Sequence, residues 1–345
     1  MINGRYINDG CKNNESLRIG LADVKWSAKV FILSVAVSFS VAIIAYILMF
    51  TFAQPEPVSE VIMNTASAAT AKVTISANYM SLFWAIFIFN SIAASFAVIG
   101  TGFFNMLHRI LISDIGMRPK HHLYASFSIV FEKAMMPVFR ALTAITSILD
   151  RDFSTLERSR EEKKGTIWQY CGYGKNEYRD FAFMLPYTVP LMIVIVNGCL
   201  MGILLAFFTF NGALTGFQLF GLKGTAIGLM YNVIYFFVAI VPHGIIEIPA
   251  LLIAAAIGYR FAYLQSHDVI GKKLFNGNDI QSLQEDAGYT YTMAKDYILS
   301  GYTWKMLCCI ILTLLVAAYI ETYVTLEIAD LVMLALDNSL ETFLT

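Results

Sequence analysis

The chain reads as long apolar runs separated by short polar breaks, with no period-2 alternation of the kind that marks half-buried strands. Five runs are long enough, at roughly 20 residues per ~30 Å of hydrocarbon, to cross a bilayer. They lie at 27–52, 80–107, 184–209, 243–263 and 305–325. Inside hydrocarbon a helix satisfies all its backbone polar groups, and an open strand does not. The pattern therefore predicts an all-α integral membrane protein with about five transmembrane helices. The first run follows a 26-residue polar-rich segment and ends Phe50-Thr51-Phe52 with no small-residue cleavage site, which argues against a signal peptide.

The fourth run carries its own punctuation. Apolar residues continue almost without interruption from Leu229 to Tyr263, which as one helix would measure about 52 Å, beyond any bilayer. Pro242-His243-Gly244 offers a break, since proline removes a backbone donor and glycine permits a bend. The expectation is a half-helix over 229–241, a helix broken at Pro242 and Gly244, and a crossing over 243–263.

Between the second and third runs lies the largest polar stretch, 108–183, with 12 basic residues, 9 acidic residues and 3 of the 5 histidines. Its first half spaces Phe127, Val130, Phe131, Met135, Val138, Phe139 and Leu142 at helical intervals, with Pro137 among them. This predicts an interfacial or re-entrant helical hairpin interrupted at Pro137. Ser154-Thr155-Leu156-Glu157 reads as a capping box opening a charged helix through Lys164.

Charge sets the expected orientation. Of 24 lysines and arginines, 22 fall at or before Lys29, from Arg109 to Arg179, or among Arg260, Lys272, Lys273, Lys295 and Lys305. Only Lys72 and Lys223 remain for the other side. An N-terminus-in, C-terminus-out topology reproduces this split. It places 53–79, 210–228 and the acidic tail 326–345 outside, and divides the chain into 1–107, the insertion 108–183, the membrane core 184–325 and the tail 326–345.

Composition agrees. Hydrophobic residues make up 57 % and charged residues 14 % of the chain, where a soluble domain carries about a quarter charged. The net charge of −1 and the lack of a large basic tract exclude nucleic acid as a partner. The cysteines (Cys11, Cys171, Cys199, Cys308 and Cys309) have neither disulfide-scaffold nor zinc-cage spacing. Neither a cofactor nor a metal is expected. The His-Glu-x-x-His and Gly-x-Ser-x-Gly signatures are both missing, which speaks against a zinc protease or a serine hydrolase.

Counting 1.5 Å per residue from the charges at the inner surface puts Glu247 roughly 20 Å up, Glu321 roughly 24 Å, Asn197 roughly 26 Å and Asn90 roughly 28 Å. His243 stands one turn from Glu247 on the same helix face. Polar groups at such depth are costly, and three readings fit: interhelical hydrogen-bonding contacts, a proton or cation site at His243, Glu247 and Glu321, or a partner-docking surface. Gly198 with Gly202, and Gly212 with Gly216, form Gly-x-x-x-Gly pairs that let helices approach closely. The first pair suggests a homo-oligomer.

The string Pro242-His243-Gly244-Ile245-Ile246-Glu247-Ile248-Pro249-Ala250, followed by Ile253-Ala254 and Gly258, resembles the hallmark of the stage II sporulation protein M family. Phe87-Ile88-Phe89-Asn90 with Gly100, Asn197-Gly198 with Gly202, and Ile320-Glu321 with Thr325 fit the same resemblance, which covers 80–107 and 184–325. Ser91 stands where a second asparagine is common. The resemblance implies a multi-pass plasma-membrane protein of about five helices, without enzymatic activity, that anchors cell-wall-remodelling partners. The function expected is thus a membrane scaffold contacting lipids and other membrane or envelope proteins. The alternative is a small transporter or channel using the intramembrane His/Glu cluster.

Overall fold

The structure is a computed structural model, and it describes residues 17–52, 80–149 and 163–344. The expected loop 53–79 and the capping box at Ser154 lie outside the described residues. Among the described residues every regular element is helical. In chain order these are α1 (Leu21–Phe52), α2 (Leu82–Ser95), a π-helical turn (Phe96–Gly100), α3 (Thr101–Met117), α4 (His122–Leu149), α5 (Lys175–Gly271), α6 (Ile280–Ile298), α7 (Gly301–Tyr323) and α8 (Thr325–Leu344). Four continuous helical stretches are long and apolar enough to cross a membrane: Leu21–Phe52, Leu82–Lys120, Lys175–Gly271 and Gly301–Tyr323.

The third of these folds back on itself. Gly221 has φ +64° and ψ −151°, a left-handed conformation that glycine adopts without a Cβ clash. Around it the two arms of α5 meet backbone to backbone. A Cβ added at Gly216 would lie 2.0 Å from the Gly224 carbonyl oxygen, and one at Gly212 would lie 2.4 Å from that of Gly228. The predicted loop 210–228 is thus two helix ends joined through one residue.

The break expected at Pro242-His243-Gly244 is absent. Helical dihedrals persist from Leu222 to Gly271. A proline inside a membrane helix forfeits one hydrogen bond that neighbouring groups and local adjustment compensate. Gly244 continues the helix, and a Cβ there would meet only the Ile240 and Ile248 side chains of its own helix, at 3.1 and 3.5 Å. Pro137 likewise lies inside a continuous α4, so no hairpin opens there. The expected acidic tail is a helix, α8, entered through Val324 with hydrogen bonding maintained (Val324 N–H to Ile320 O, 2.9 Å; Ile328 N–H to Val324 O, 3.1 Å).

The chain groups into two compact units, each assembled from three separate stretches. The first contains Met1–Asp23, Ser95–Leu191 and Ala255–Leu307; the second contains Val24–Ala94, Met192–Ala254 and Cys308–Thr345. In the first unit α6 packs along α3. The π-helical turn loosens the hydrogen-bonding ladder of its helix, and the Tyr297 hydroxyl donates to the Val98 carbonyl at 2.6 Å. Gly258 fits here because a Cβ would fall 2.3 Å from the Ala97 carbonyl oxygen. Asn105 and Gln265, both fully buried, exchange amide hydrogen bonds in both directions. Arg118 is held between Asp114 and Glu132 at 2.7 Å each. Two non-glycine residues with positive φ, Lys273 and Phe275, shape the turn after α5. The Phe275 N–H is caught there by the Asp286 carboxylate at 2.6 Å.

In the second unit α1 lies against the first arm of α5 at the glycines singled out above. A Cβ at Gly198 would meet the Phe31 carbonyl oxygen at 2.9 Å, and one at Gly202 the Val35 carbonyl oxygen at 2.4 Å. Close approach at these glycines is therefore used within the chain. Serine hydroxyls of α1 bond their own helix, Ser34 to Val30 O at 2.8 Å and Ser38 to Ser34 O at 2.7 Å, which satisfies them in an apolar setting.

Candidate functional site

All five intramembrane polar residues expected from sequence belong to the second unit. Three of them converge. The ligating atoms of His243 and Glu247 on the second arm of α5 and of Glu321 on α7 lie within 4.8 Å of one another. The i, i+4 spacing of His243 and Glu247 stacks their side chains on one helix face, and α7 brings Glu321 to that face. Asn90, on α2, donates its amide N–H to the Glu247 carboxylate.

Asn197 is only a neighbour. Its amide donates to the Ile193 carbonyl of its own helix at 2.7 Å. It shares with Glu247 the lining of a cavity of about 60 Å³, closed by Phe31, Met201 and Leu251. A volume of that size holds one or two waters.

Thr325, a family mark with no assigned role at the outset, sits at the start of α8 beside the cluster. The His243 Nδ1 atom lies 3.4 Å from the Thr325 hydroxyl oxygen, and that hydroxyl donates to the Ile320 carbonyl at 3.1 Å. The hydroxyl proton is therefore directed away from the imidazole. Thr325 then accepts from Nδ1–H, and the His243 Nε2 keeps its lone pair.

One antiparallel register runs through these contacts. Glu247 faces Glu321, His243 faces Thr325, and Tyr231 donates to the Asp337 carboxylate. Each step of four or more residues down α5 is matched by an equal step up α7 and α8. The last two helices thus present a single continuous edge to the second arm of α5.

The first unit contains a larger pocket, about 400 Å³, lined mainly by Phe127, Phe131, Met135, Phe139, Tyr173 and Phe181, with the Arg118 and Glu132 pair at its wall. Sequence reasoning recognised the apolar face of α4 but missed this pocket, whose other wall comes from residues 173–181.

The match to known families now bears directly on this geometry. The family model for stage II sporulation protein M matches residues 138–326. That range takes in both arms of α5, the Pro242-to-Ala250 string, the carboxylates at 247 and 321, and Thr325. It also includes 138–183, part of the segment expected to be an insertion, whereas 80–107 lies outside it. No curated protein and no solved structure shows significant similarity. Since the matched segment is more than half of the chain and contains the convergent His/Glu cluster, the protein is a member of the stage II sporulation protein M family.

Proposed function

We propose that the protein is a non-enzymatic scaffold of the plasma membrane, with its N-terminus inside and its C-terminus outside, that gathers membrane or envelope proteins. The observation that carries this reading is the end of the α5 hairpin. Helix persists to Gly221 on both sides, and the tip exposes Phe217, Leu219, Phe220 and Leu222, with Leu222 at 84 % and Leu219 at 68 %. α8 adds the exposed Leu326, Leu331 and Leu334. Contiguous exposed apolar side chains next to a lone lysine, Lys223, suit contact with a partner's apolar surface. Family membership supports the same reading, since the family is not known for enzymatic activity.

Photo-crosslinkers at positions 220 and 222 in native membranes test it. Discrete protein adducts that disappear with Leu219→Asp are expected, and labelling of lipid alone would overturn the reading. A homo-oligomer is proposed through the same tip, and an adduct of twice the monomer mass would show it.

The convergence of His243, Glu247 and Glu321 favours one second reading, a cation or proton pathway. Liposome flux separates the two. A scaffold gives no gradient-driven flux in wild type or in Glu247→Gln, whereas a transporter gives flux that Glu247→Gln abolishes in a folded protein.

A further inference from the structure

We propose that His243, Glu247 and Glu321 form a binding site for a divalent transition-metal cation, with zinc as the best-matched ion. The site goes beyond the scaffold reading and does not depend on it.

Charge balance is the first reason. Two carboxylates lie side by side in a unit whose described basic side chains are Lys25, Lys29 and Lys223. Among the described residues, no ion pair involves Glu247 or Glu321. Neighbouring carboxylates in an apolar environment repel and draw a positive charge between them.

Ligand chemistry is the second. One imidazole and two carboxylates converge from two helices, and a His-x-x-x-Glu pair on one face acts as a bidentate chelate. Hard ions such as calcium and magnesium favour all-oxygen shells, while an imidazole selects zinc or its transition-metal neighbours. Donors about 2 Å from a shared ion are about 3–4 Å apart, and the observed separations within 4.8 Å are close to that spacing. Three protein ligands leave a coordination position for water or for an oxygen of a partner.

The groups around the ligands give the third reason, independent of the first two. Metal-binding histidines characteristically donate their second ring N–H to an oxygen, which fixes the tautomer and orients the ring. Thr325 occupies that position at Nδ1 with its own proton committed to Ile320, leaving Nε2 as the ligand atom. Asn90 plays the matching part for Glu247 by donating to its carboxylate. Asn90 was already a candidate by its depth, whereas Thr325 was visible in the sequence only as a family mark. The three ligands are half-buried rather than sealed, so an ion can reach them.

The test uses the full-length protein in mild detergent, stripped with EDTA and titrated with Zn²⁺ and then with Mn²⁺. Bound metal is counted by elemental analysis, and Tm is followed in parallel. About one Zn²⁺ per chain and a Tm raised by binding are expected. His243→Gln and Glu321→Gln are expected to weaken binding at least tenfold, and Asn90→Ala, outside the ligand set, by about tenfold. The exposed pair His121 and His122 supplies the control, and replacing both with glutamine should leave binding unchanged. A wild-type protein without stoichiometric Zn²⁺ would overturn the proposal. So would affinity unchanged in the ligand variants, or affinity lost with His121 and His122. A Tm that responds to pH but not to Zn²⁺ would assign the charge balance to a shared proton instead. Capture of partners at the hairpin tip is read separately, so failure of one reading leaves the other standing.

Discussion

The two units of this chain are held together by different physics. In the first, long side chains dominate, with Gly258 against the Ala97 carbonyl as a close-approach exception: the Asn105 and Gln265 amide pair, Arg118 between two carboxylates, and stacked Phe261 and Tyr297 with ring centroids 4.2 Å apart. In the second, contacts are made by what is missing. Gly198, Gly202, Gly212, Gly216, Gly224 and Gly228 bring backbones together where a methyl group would collide. Small residues let helix backbones come into van der Waals contact, a mode of packing common between membrane helices. The contrast teaches that one sequence can alternate between side-chain and backbone contacts from segment to segment.

Breaking the ion-pair network should have the largest effect. Arg118→Ala leaves Asp114 and Glu132 without their cation in a nearly buried setting, a loss of about 3–5 kcal/mol. Thermal melting, together with earlier proteolysis at 163–174, would check it, because Glu132 also accepts the Gly172 N–H.

The corresponding blow to the second unit is Gly216→Val, at about 3 kcal/mol. The Gly224 carbonyl is main chain and cannot rotate away. Loss of a monodisperse peak in detergent is expected, while Gly288→Val, where a Cβ meets nothing within 4 Å, leaves the peak intact.

A smaller effect, on the order of 1–2 kcal/mol, comes through pH in the first unit. Burial, with the charges of Glu285 and Asp279 nearby, pushes the Asp286 carboxyl up to about 6. A carboxyl that binds its proton more tightly folded than unfolded adds stability at low pH and loses it as pH rises. Tm should therefore fall between about pH 4 and pH 6, and Asp286→Asn, which still accepts the Phe275 N–H, should flatten that slope. Tyr297→Phe is the mildest, removing one hydrogen bond to the Val98 carbonyl at about 1 kcal/mol.

Much of the site was legible because helices are good rulers. A constant rise per residue let Glu247, Glu321 and Asn90 be placed at similar depth from distant charges, and the structure brings these three together with His243. The same ruler gives height but not rotation, which is why Asn197 lines a cavity with Glu247 and yet bonds its own helix. Thr325 escaped because its role depends on where the last crossing bends into α8. The turn at Gly221 was foreseen only as a loop over 210–228, because Gly212 and Gly216 read as helix-packing residues and nothing local singles out Gly221 as the one left-handed position. The first unit was the least legible part. Asn105 finds Gln265 across 160 positions, and no local periodicity encodes such a pair.

The shared register of α5 with α7 and α8 makes the cluster a gauge of axial strain. A pull on α8 that slid it one turn, about 5.4 Å, along α5 would separate Tyr231 from Asp337, His243 from Thr325 and Glu247 from Glu321 in a single movement. A load applied at one end of the helix would then be felt at the His/Glu cluster as a change in ligand spacing, with no messenger between them but the stiffness of the helix itself.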